Sequence, residues 1–96
     1  MRFPTCPNEL LDWIDAMSVS DIQMAISDID PKVLRRKRLK RIDMWKIADA
    51  ITQQVTGFNT IDLSVEWLGN KREELLETCV QNAYAADLVY NPYRGY

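Results

Sequence analysis

The sequence predicts an all-α protein: one compact domain, a bundle of about five helices, with a short irregular C-terminal tail. Three observations lead there. Apolar residues recur at three- and four-residue spacing along most of the chain. These runs start and stop at Ser, Asp, Asn, Pro or Gly, the residues that begin and end helices. Short β-branched runs such as Thr60-Ile61 fall inside helical periods instead of alternating as strands do. Ninety-six residues with 47% hydrophobic content support one core, because a chain of this size buries only about 60 to 65% of the surface its unfolded form exposes. Residues 1–90 are assigned to the helical domain and residues 91–96 to the tail.

The first helix is expected over residues 7–17, where Leu10, Leu11, Ile14 and Met17 share one face after Pro7-Asn8. Ser20-Asp-Ile-Gln23 has the form of a capping box. It opens a second helix whose buried face is Ile22, Ala25, Ile26 and Ile29. Asp30-Pro31 ends that helix and starts the next, since aspartate caps well and proline fits the first helical position. A single long helix is then expected from residue 31 to 56, stopped by Gly57, which accepts the left-handed conformation. Within it Met44, Ile47, Ala48, Ile51 and Val55 form a core stripe, whereas Lys37 and Arg41 continue that stripe backward with charge. The C-terminal half therefore reads as core and the N-terminal half as surface.

A fourth helix is expected to begin at Asn59 or Thr60 and to run through Ile61, Leu63, Trp67 and Leu68 to Gly69. Asn70-Lys-Arg-Glu73 recaps the chain, with Glu73 placed to reach back to the free amides of the fifth helix. Leu75, Leu76, Cys79, Val80, Ala83 and Ala86 form its stripe, continuing toward residue 90. The segments near 44–56 and 70–90 are the expected central pair, with Ile47, Ile51, Leu68, Leu76 and Val80 as the core. Trp13 and Trp67 belong at the core or its margin, because a small domain needs large buried side chains.

The composition excludes several chemistries. Histidine is absent, which removes the usual general base near neutral pH and the commonest metal ligand. Cys6 and Cys79 stand far apart and cannot supply a closed zinc site, so no metal and no cofactor are expected. In a reducing compartment two such isolated thiols read as buried small hydrophobes, not as a bridge. Carboxylate pairs such as Asp12 with Asp15 or Glu73 with Glu77 are ordinary solvated neighbours on a helix, so the expected protein is not an enzyme. The N-terminal residues contain no apolar run of the length a signal peptide or membrane span requires, and an intracellular, cytoplasmic, non-membrane protein is expected.

What remains is charge. Residues 1–31 carry one cation against six acids, net −5, and residues 47–96 carry three against seven, net −4. Between them Lys32, Arg35, Arg36, Lys37, Arg38, Lys40, Arg41 and Lys46 face only Asp43, net +7. Such a block attracts polyanions within about 8 to 10 Å at physiological salt, and arginine's planar fork suits phosphate. Nucleic acid is the favoured partner. An acidic protein surface is the alternative, as for an adaptor or inhibitor; a solvated helix that neutralises the flanking acids is the third reading. On the helical wheel Arg35, Arg36, Lys37 and Arg38 point in four directions, so not all can face one groove. Trp45 beside the block is a possible partner contact, as are Tyr90, Tyr93, Arg94 and Tyr96 of the tail, because tyrosine offers contact area at low entropic cost. A helix-turn-helix centred on Gly57 is disfavoured, since its second helix carries Asp62 and Glu66 and would repel phosphate.

Overall fold

The computed structural model describes residues 3–58 and 65–89. The described residues form helices joined by turns and loops and contain no strand. In chain order they form α1 (Pro7–Asp15), α2 (Val19–Ile26), α3 (Pro31–Leu34), α4 (Arg41–Thr56), α5 (Val65–Leu68) and α6 (Arg72–Ala85), with a 3₁₀ turn at Gly69–Lys71 before α6. The all-α reading holds. Because α3 and α5 are single turns, the bundle rests on α1, α2, α4 and α6.

The most extensive packing is between α4 and α6, and α2 and α1 pack onto that pair. At its centre Leu10, Ile14, Ile47, Ala48, Ile51, Cys79 and Ala83 have no exposed surface. Leu68, Leu76 and Val80 are buried around them, so the five residues named from periodicity as the core all lie in it. Cys79 sits in this interior and its thiol reaches the Ala48 carbonyl oxygen at 4.0 Å. Burial pushes that thiol up to about 12, and Asp49 and Asp15 add to the shift against a lowering by the Thr52 hydroxyl. Both cysteines are free; Cys79 is buried as expected, whereas Cys6, just before the first turn of α1, is exposed, contrary to the expectation of two buried thiols.

Local chemistry explains the ends. Ser18, not Ser20, caps α2: its Oγ accepts the Asp21 N–H at 3.1 Å, which moves the helix start two residues earlier than expected. The Ser18-x-x-Asp21 form also sets a carboxylate in the first turn, where the helix dipole favours it. Asp30 caps α3 as expected, accepting the Lys32 N–H at 2.9 Å. Gly57 stops α4 at φ 82°. At the start of α6 the expected Asn70 cap is absent, since Lys71 occupies the capping position and no side chain bonds there. Glu73 turns instead to Arg41.

α6 ends at residue 85, short of the expected 90. Asp87 adopts φ 62°, its N–H donates to the Tyr84 carbonyl at 3.0 Å, and the Leu88 N–H donates to the Ala83 carbonyl at 3.1 Å. This pair of bonds is a Schellman stop, and it lets the next residue, Val89, turn back into the core. Asn82 Nδ2 meanwhile donates to Asp15 Oδ1 at 2.8 Å, joining α6 to the end of α1. Phe3 packs edge-on against Phe58 at 6.0 Å and at a tilt against Trp67 at 5.5 Å, so Trp67 is a marginal core residue as expected. Trp13 is half-buried. The start of the fourth expected helix, with Ile61 and Leu63, lies outside the described residues.

Candidate functional site

The long helix expected over residues 31–56 is broken. It is a single turn, α3, then a loop over residues 35–40, then α4. Two residues inside the basic segment cause the break. Leu39 is buried at 5% exposure among the core side chains, and a straight helix that faced Ile47 and Ile51 inward could not also bury it. Asp43, the segment's one acid, is buried at 2% and its Oδ2 accepts the Lys40 N–H at 3.2 Å. That bond is the carboxylate half of a capping box, and it starts a new helix at Arg41. A lysine side chain has no acceptor with which to return it.

The same Oδ2 accepts Arg36 Nη1 at 2.9 Å. One buried carboxylate therefore holds both the helix start and the middle of the loop. Val33, buried at 6%, fixes the other end at α3. The six-residue loop is thus tethered at Val33, Arg36, Leu39 and Asp43, while most of its charge faces outward.

The eight basic residues of the segment fall into two groups. Arg36 pairs with Asp43, and Arg41 pairs with Glu73 of α6. Lys32, Arg35, Lys37, Arg38, Lys40 and Lys46 are exposed and form no ion pair among the described residues. Among the described residues, neutralisation of the flanking acids thus involves one of the eight cations, Arg41, and Arg36 is taken up by the segment's own Asp43. Breaking the helix also removes the objection that successive basic residues must point in four directions, since loop residues are not bound to 100° steps.

Trp45 is half-buried against the core, and the Arg72 guanidinium lies 4.6 Å from its ring centroid. At that distance the cation is attracted to the ring face. Arg72 was not among the residues expected from sequence at this surface; it lies 31 positions beyond Arg41, and only the packing of α6 on α4 brings it there. Ile42 was also missed. It is 65% exposed on the first turn of α4, an apolar side chain among cations. Tyr90, Tyr93, Arg94 and Tyr96 lie outside the described residues, so their expected role at a partner surface is neither placed nor refused.

No group of three or more Cys, Asp or Glu side chains suited to a metal occurs among the described residues, and no helix there is long and apolar enough to cross a membrane. Two shallow grooves flank α4. One lies against α2 beside Met24 and Ala50; the other lies against α6 over Met44, Leu76 and Tyr84. Neither gathers a nucleophile with a base. Comparison with protein-family models, curated proteins and solved structures gave no match, so the chemistry of the surface rests on its own residues.

Proposed function

We propose that this is a small non-catalytic accessory or regulatory protein that binds nucleic acid through residues 32–46. The observation that carries the reading is the loop over residues 35–40 with its neighbours: six exposed cations without acidic partners among the described residues, on a backbone held at four points. A tethered loop loses less conformational freedom on binding than a flexible basic arm, so more of the electrostatic attraction becomes affinity. Contacts to phosphate would give binding with little sequence preference. Separated, free cysteines suit a reducing, cytoplasmic setting.

Ile42 favours a second reading. An exposed isoleucine inside a basic patch is also what an adaptor or inhibitor would present to an acidic protein with an apolar spot at its centre. The two readings separate in one experiment. Fluorescence anisotropy of labelled mixed-sequence oligonucleotides, titrated at several salt concentrations, should give a log–log salt slope of about −0.9 per phosphate neutralised on duplex or about −0.7 on single strands. Absence of binding at low salt, with binding retained to an acidic polypeptide, would reverse the order of the two readings.

A further inference from the structure

We infer that the surface selects single-stranded nucleic acid, with Arg72 of α6 as a further phosphate-binding residue and Ile42 as the seat of an unstacked base. This rests on the nucleic-acid reading and narrows it. The argument begins at Trp45. On a helix, residue 45 lies one turn beyond 41 and 42, so its ring sits between Arg41 on the α6 side and Ile42 on the solvent side, with Lys46 one turn beyond Ile42. Arg41 is taken up by Glu73, and the packing of α6 on α4 sets the two helices side by side at this level. Arg72 then lies over the ring of Trp45 and has no carboxylate partner among the described residues.

The result is a strip across two helices: Arg72, Trp45, Ile42, Lys46, with the cationic loop adjoining the α4 end. Cations at both margins of an apolar centre match a strand that offers phosphates and base faces together. In duplex DNA or RNA the base faces are stacked inside and only edges are offered. An exposed isoleucine there would gain little and would hold the phosphates away from the cations. In a single strand the bases are free to lie on apolar and aromatic surface while the backbone follows the charge. The ring of Trp45 has a structural duty here: it holds Arg72 still.

The test compares oligothymidine, oligouridine and a duplex of equal length by anisotropy at matched salt, using the full chain. Single strands should bind about tenfold tighter than the duplex, and equal or unequal affinity for the deoxy and ribo strands both agree with the inference. Ile42→Ser should weaken single-strand binding several-fold with the salt slope unchanged, because it removes no charge. Arg72→Gln should flatten the single-strand slope by about 0.7, and Arg72→Lys should restore it. Melting curves check that Arg72→Gln is folded, and Ile42→Ser, at an exposed position, tests the base seat independently. Duplex binding equal to or tighter than single-strand binding, or an Ile42→Ser protein with wild-type affinity, overturns this inference and leaves the nucleic-acid reading standing. No binding to any of the three oligonucleotides at low salt overturns both.

Discussion

The two ends of α4 are built from opposite materials. Beyond its first turn it buries Ile47, Ala48 and Ile51, each without exposed surface, and packs against α6. Its N-terminal turn exposes Ile42 at 65% and buries a carboxylate, Asp43. One end is ordered by area removed from water; the other by a few charge-assisted hydrogen bonds and one inserted leucine, Leu39. The comparison separates what holds the domain together from what shapes its surface. Substitutions at the apolar end should cost stability, whereas those at the polar end should mostly redirect the loop.

Ile51→Ala is expected to have the largest effect, a loss of about 2 to 5 kcal/mol in urea denaturation, because the fully packed site leaves a cavity. A loss below about 1 kcal/mol would mean that α4 does not carry the core. Alkaline pH should act on the same end. The Cys79 thiol ionises near 9.0 when unfolded and near 12 in place, so the folded state keeps its proton longer. Stability present below pH 9 is therefore lost as the pH climbs toward 12, by up to about 1.4 kcal/mol per unit. Stability measured against pH should decline less steeply in Cys79→Ala over that window; parallel curves would show that the thiol is not buried.

At the polar end Asp43→Ala should cost about 1 to 2 kcal/mol, the worth of a helix cap plus a half-exposed ion pair, and should loosen exchange of the Lys40 amide in hydrogen-exchange measurements. Protection of that amide unchanged by the substitution would remove Asp43 as the anchor of the loop. Smaller still is Arg41→Gln. Both Arg41 and Glu73 are well exposed, at 60% and 62%, so solvent screens the pair and thermal melting should register a change within about 0.5 kcal/mol.

The contrast between the ends also explains what could be read from sequence. The apolar half repeats every three to four residues, and that repetition reveals the helix, its buried face and its glycine stop at Gly57 without reference to anything distant. The basic segment repeats nothing. Its break depends on Leu39 and Asp43, single residues embedded in charge, whose signals are a lone leucine out of phase with the core stripe and an acid three places after Lys40. Against these two signals stands the helix-forming character of Arg and Lys, which favours an unbroken helix. Ser18 and Ser20 offer two competing caps for α2, and the glutamine three places after Ser20 points to the wrong one. Arg72 and the Arg41–Glu73 pair carry no local signal at all, because they meet through the packing of α6 on α4.

The central claim is that the outward cations of the loop serve a partner and not the fold. It is tested most directly by changing Arg35, Lys37 and Arg38 together to glutamine, which leaves both ion-paired arginines, Arg36 and Arg41, in place. The melting temperature should be unchanged or slightly raised, since closely spaced like charges with no ion-pair partner among the described residues are removed. Oligonucleotide affinity should fall at low salt, and the magnitude of the log–log salt slope should drop by about 0.7 to 0.9 for each phosphate that is no longer neutralised. A triple variant that melts several degrees lower and binds with the wild-type slope would contradict the account and return these residues to a structural role.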